Sequence, residues 1–219
     1  MPNLGDMTIT AETPLHETPL HTLLKESTAR VHDEAENSSF MGDLLAGRSG
    51  RDAFVALTRQ LWFVYSMLEE SVDALADHPV IAPLHDEELR RLPALERDLD
   101  AIAPGWRDDN APTPGTTAYV ARLKECASDP VRLVAHHYTR YLGDLSGGQV
   151  IPRLLTRHYD ITDGLDFYRF EGIDKPKTYK DAYRAALDAL PLDAEEKQRA
   201  ADEAVEAFRL NTAMFADLG

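Results

Sequence analysis

Two groups of residues in this 219-residue chain have the types and spacing to do chemistry. The first is His32, followed four residues later by Glu36. On a helix the two share a face, so the carboxylate can accept one ring N–H and leave the other ring nitrogen as a neutral metal ligand. A partly buried histidine paired with a carboxylate, with no metal, has the same spacing. The second group is the run LGDLSGGQ, residues 142–149, which sets Gly143, Gly147 and Gly148 inside a helical pattern. Each glycine costs about 1 kcal/mol against alanine in a helix interior. Three cost about 2–3 kcal/mol of a total stability of about 5–15 kcal/mol. Gly143 and Gly147 fall on one face and leave a strip of bare backbone that a flat body can approach closely. A tight helix crossing or a kink is the other use of the same glycines. Arg140 and Asp144, spaced i,i+4 beside the strip, form either a surface ion pair or a cation and an acid at a cavity wall.

Lys25, Ala29, His32 and Glu36 run along one face, so a cation stands two turns from the candidate ligand. Other chemistries lack their residues. No histidine has a glutamate three positions before it, which excludes the Glu-x-x-His pairs of di-iron bundles. There is no HExxH, P-loop or GxSxG pattern. The single cysteine, Cys126, rules out an internal disulfide and argues against a Cys-based zinc site. It sits at a helix end with no evident base beside it, which counts against a cysteine-nucleophile hydrolase.

The elements that must position these residues are helices. Leu24, Thr28, Val31 and Ala35 make the stripe of a first helix, and Phe54, Leu57, Leu61, Tyr65, Leu68, Val72 and Leu75 mark a long one over 51–76. A helix is expected over 84–102, bent or split at Pro93, then a Pro/Gly-rich loop over 104–115. Further helices are expected over 116–127, 130–158, 177–190 and 193–216, with only 165–170 able to be extended. Residues 1–21, with the duplicated TPLH, read as a flexible tail. The expectation is one all-α domain of seven to nine helices over 22–219.

Lys and Arg number 23 against 38 Asp and Glu, giving a net charge of −15. Such a chain repels nucleic-acid and anionic membrane surfaces. The first 24 residues hold no Lys or Arg, unlike a secretory signal, and the longest apolar stretch, Leu61–Leu68, is far too short to span a bilayer. The expected state is a cytoplasmic monomer with no membrane and no nucleic-acid partner.

KESTARVHDEAENSSFM (Lys25–Met41) and HHYTRYLGDLSGGQVI (His136–Ile151) together resemble heme oxygenases, above all the soluble bacterial type. FYRFEGIDKPKTYKDAYR (Phe167–Arg184) and AFRLNTAMFADLG (Ala207–Gly219) extend the resemblance from about Leu23 to the end. It implies an all-α fold that clamps heme b between a proximal helix and a kinked distal helix. His32 corresponds to the proximal iron ligand and Glu36 to its hydrogen-bonding partner. Gly143, Gly147 and Gly148 correspond to the distal backbone, and Asp144 to the carboxylate that holds water near bound dioxygen, with Arg140 and Tyr65 in the same network. Lys25, Tyr138, Lys175 and Arg184 correspond to propionate contacts, and Met41 and Phe208 to the heme wall. Heme is then both cofactor and substrate. With O2 and electrons from an external donor of the ferredoxin or flavodoxin reductase type, it is opened at a meso carbon to biliverdin, carbon monoxide and ferrous iron. A non-catalytic heme carrier would share His32 and the glycines; Asp144 favours the enzyme, because a carrier has no use for a distal proton relay.

Overall fold

The computed structural model describes residues 18–36, 38–147 and 150–219, and of Glu36 the backbone only. Among these residues nine α-helices follow one another with no strand: α1 (Leu20–Glu36), α2 (Ser39–Leu45), α3 (Arg51–Ala74), α4 (Leu92–Ile102), α5 (Pro114–Cys126), α6 (Pro130–Gly147), α7 (Ile151–Tyr159), α8 (Pro176–Asp188) and α9 (Ala194–Ala216). The expected all-α class is what the chain adopts. None of the helices is long and apolar enough to cross a membrane.

Alanine decides the centre. Ala200, Ala201, Ala204 and Ala207 on α9 are fully buried, and side chains this small let α1, α5 and α6 all pack against one helix. α9 is started by a capping box, Asp193 accepting from the Glu196 N–H while Glu196 accepts from the Asp193 N–H. α1 and α6 therefore stand side by side on α9 and on α8, with little direct contact between them. They are the two jaws of a cleft.

Several boundaries differ from the periodicity, each for a local reason. Leu20 is buried and His21 Nδ1 lies 2.6 Å from Asp188 Oδ2, so the first helix starts inside the expected tail. Residues 1–17 of that tail lie outside the described residues. The expected helix over 84–102 is α-helical only from Leu92. Before it comes a 3-10 turn, Glu87–Leu89, started by the Asp86 carboxylate accepting from the Glu88 N–H. Pro93 lies in the first turn of α4, where its missing N–H costs nothing. Glu69 of α3 caps that turn by accepting from the N–H groups of Arg91 and Leu92 at 2.6 and 3.0 Å. The expected helix over 130–158 is two helices, α6 and α7, with Pro152 in the first turn of the second. Residues 165–170 form no strand: Asp166–Tyr168 is a 3-10 turn whose Asp166 and Phe167 N–H groups both donate to Asp98 at 2.8 Å, and Arg169 after it is extended.

Candidate active site

The middle of α6 carries the chemistry. Arg140 and Asp144 are one turn apart, with Nη2 3.7 Å from Oδ1, and both are largely buried. Tyr65 of α3 comes between them: its hydroxyl donates to Asp144 and accepts from Arg140 Nε at 3.2 Å. The pair read from spacing is thus a buried trio, not a surface ion pair. Burial pushes the Asp144 carboxyl up from the ordinary carboxylate range, against the pull of Arg140 and the Tyr65 hydroxyl. Burial likewise takes the Tyr65 phenol well up. Burial opposes the Arg140 cation, but Tyr65 and Asp144 outweigh it and raise its pKa. The trio is therefore a carboxyl and a phenol whose proton affinity burial raises, beside a fixed positive charge. Asn211 of α9 completes it, its Oδ1 accepting from Arg140 Nη1 at 2.8 Å. Asn211 is absent from the sequence expectations. Its signal was a lone amide in the buried stripe Ala204, Ala207, Met214.

Next to the trio the helix surface is bare. Among the described residues, a Cβ built on Gly143 meets nothing within 4 Å, and one on Gly147 meets only the flexible Ile151 side chain, at 3.2 Å. Among the described residues, no crossing helix fills the space at Gly143 or Gly147. Gly148 lies outside the described residues. On the other jaw, His32 keeps 48% of its side chain exposed, and its ring meets the edge of Phe208 at 5.5 Å between centroids. Two expected site residues are thus brought together. The Glu36 side chain, expected to orient the imidazole, lies outside the described residues; Asp33 Oδ1 is 3.8 Å from His32 Nδ1. His136, seven residues before Gly143, lies about 10 Å along the axis from that glycine and is fully buried against Glu203.

α8 lines the rim with cations. Burial pushes the Tyr138 phenol up while Arg184 pulls it down, so that guanidinium stands within electrostatic reach. Lys180, one turn before Arg184, donates to Ser146 Oγ at 3.1 Å, and Ser146 lies between the two glycines of α6. Lys180 was missed, although its i,i+4 spacing to Arg184 was legible. Lys175 is exposed at the N-cap of α8, nine residues before Arg184. Its backbone is non-helical, with φ −124° and ψ 78°, so the helix repeat does not carry it onto the face of Lys180 and Arg184. Lys25 is exposed on α1, and Met41 packs half-buried on α2.

The heme oxygenase family profile matches residues 18–217. Heme oxygenase 1 of Rattus norvegicus is 42% identical over 205 residues, covering 91% of this chain and 71% of that protein. The chain belongs to the heme oxygenase family. It is an enzyme of heme degradation, the family's reaction being the conversion of heme to biliverdin. Heme oxygenase 1 of Synechocystis sp. is 39% identical over 202 residues, covering 91% of this chain and 84% of that protein. The crystal structure of heme oxygenase-1 from the cyanobacterium Synechocystis in complex with heme superposes with a TM-score of 0.88 at 38% identity, covering 92% of each chain. The chain spans about two thirds of the length of the mammalian relatives it matches.

The residues present fit a heme. A macrocycle needs a helix face without side chains, an accessible imidazole and cations for two carboxylates. The open space at Gly143, the half-exposed His32 and the Lys180–Arg184 edge supply these three.

Proposed function

We propose that the chain opens heme at a meso carbon, with O2 and external electrons, releasing biliverdin, carbon monoxide and ferrous iron. One observation carries the reading: a buried, hydrogen-bonded Asp144–Tyr65–Arg140 cluster adjoins a stretch of bare backbone. Bound heme supplies the iron that activates dioxygen and the carbon that is oxidised. His32 is the proximal ligand, and Glu36 sits on the helix face where it can orient the ring. Lys180, Arg184, Tyr138 and Lys25 hold the propionates, and Met41 and Phe208 wall the ring. Gly143 and Gly147 keep side-chain acids away from the distal face. Asp144, turned back onto Tyr65, delivers its proton through water rather than directly. Arg140 fixes both groups, and Asn211 fixes Arg140. The electron donor is a protein of the ferredoxin or flavodoxin reductase type, and the enzyme works as a cytoplasmic monomer. The lone, buried Cys126 suits such a reducing compartment.

The deciding experiment is a hemin titration of the heme-free protein, followed by anaerobic reduction and then air. The Soret band should give way to biliverdin absorption; a band that survives makes the chain a carrier and rejects the enzyme. His32→Ala should lose the histidine-ligated spectrum and regain it in part with added imidazole. Asp144→Ala should bind hemin and form little biliverdin; an unchanged yield removes its role.

A further inference from the structure

Two turns before Gly143 along α6, three metal-ligating side chains converge in the interior. Cys126 ends α5, His136 lies on α6 and Glu203 on α9, and all three are buried. His136 Nε2 is 2.9 Å from Glu203 Oε1, and Cys126 Sγ is 3.6 Å from the same oxygen. The three ligand atoms lie within 4.8 Å of one another. We infer that Cys126, His136 and Glu203 form a binding site for a divalent cation of the Zn2+ type, open to a surface cleft. The inference is independent of the heme reading, and it reverses the expectation that a single cysteine leaves no zinc site.

One sulfur, one imidazole nitrogen and one carboxylate oxygen are the donors a borderline cation takes, with a fourth position left for water. The spacing fits. Bonds of about 2.3 Å to sulfur and about 2.0 Å to nitrogen and oxygen at tetrahedral angles put S and O about 3.5 Å apart and N and O about 3.3 Å apart. The observed 3.6 and 2.9 Å are within a few tenths of an ångström of that.

Access and charge also fit. Arg122 now grips the Glu203 carboxylate, Nε to Oε1 at 2.8 Å and Nη2 to Oε2 at 2.6 Å. Arg122 is 31% exposed and, with Glu203, lines a cleft of about 730 Å³ shared with Arg132 and Arg199. Its guanidinium can swing into that cleft. A divalent cation that displaces the thiol proton brings a net charge of +1, equal to that of the guanidinium that leaves. Beside the cluster, the Tyr119 ring lies 5.6 Å from that of His136, and its buried hydroxyl has no hydrogen-bond partner among the described residues. That is an unmet polar group of the kind that marks a place for a ligand or its water. His136 is one turn from Arg140, so an occupied site would stand beside the distal network.

Co2+ is the probe, added to the heme-free full chain. Uptake of one ion per chain with a thiolate-to-cobalt charge-transfer band in the near ultraviolet is expected, and Zn2+ should displace it. Cys126→Ser, which keeps a polar group of similar size, should lose the band. Arg122→Gln, which removes the competing cation, should tighten binding by about tenfold. Wild type and Arg122→Gln that both lack the band at saturating Co2+ overturn the site, as does a band that persists in Cys126→Ser. Because no hemin is present, these outcomes say nothing for or against heme cleavage.

Discussion

Phe208 and Asn211 lie one turn apart on α9, and each holds one jaw of the cleft. The Phe208 ring meets His32 of α1, and the Asn211 amide oxygen accepts from Arg140 of α6. A rise of about 1.5 Å per residue makes that turn about 4.5 Å long. The offset between the imidazole side and the acid side is therefore set by the backbone of a single helix, not by the flexible ends of two. Four buried alanines on the same helix make the spacing hard to change.

Replacing Asn211 with Leu tests this positioning. Arg140 is buried, so removing one acceptor of a charged donor should cost about 1.5–3 kcal/mol in urea unfolding. The Tyr65–Asp144 pair then loses its fixed neighbour. Biliverdin formation should fall by up to about a hundredfold with little change in hemin affinity. A loss of stability with normal turnover would reduce Asn211 to a packing residue.

Lys180 of α8 and Lys175 at its N-cap separate a resemblance from a geometry. Lys180 reaches Ser146 beside the glycines, whereas Lys175 stands at the helix N-cap. Lys180→Ala should weaken hemin binding by roughly 1 kcal/mol, the scale of one partly exposed ion pair, and Lys175→Ala should leave it unchanged. Hemin titration of both variants checks this. The reverse order would show that α8 turns on binding.

What the sequence made legible follows from which forces are local. The stripes of α1, α3 and α9 are periodic because each helix buries one face. α2 has seven residues and buries only Phe40 and Leu44, too few to show a period. The break between α6 and α7 was hidden because the helical pattern runs on across Pro152, which a first turn tolerates. Within the site, Arg140–Asp144 could be read because one helix carries both. The Asp144 partner Tyr65 is 79 residues away, and the Arg140 partner Asn211 is 71 residues away. Spacing says nothing about such contacts; packing on α9 makes them. Tyr65 was reached through the family resemblance, and Asn211 not at all.

Gly143 sets stability against function. It is a helix-interior glycine facing open space, so Gly143→Ala should stabilise the heme-free protein by about 1 kcal/mol. Gly143→Leu adds a side chain where the ring is to lie. It should fold at least as well as wild type and lose most hemin binding. Paired thermal melts and hemin titrations measure both arms. A Leu variant that binds hemin normally would show that the ring does not rest on this strip.

Stability should depend on pH through His137. This side chain is buried beneath α8, its Nδ1 2.6 Å from the Tyr183 hydroxyl and its ring 4.5 Å from that of Tyr141. Burial above all, with help from the nearby His85 and against the pull of Asp86, takes its pKa down to about 3. In the unfolded chain it titrates near 6.5. Between those values the unfolded state holds a proton that the fold refuses, so stability is complete above about pH 6.5 and is lost as pH falls towards 3. The loss attributable to this group is about 1.4 kcal/mol per pH unit. His137→Gln keeps a hydrogen-bonding group for Tyr183 and removes the titration. Urea unfolding of the two proteins across that range should give curves that diverge with acid, and parallel curves would mean that His137 is protonated in the fold.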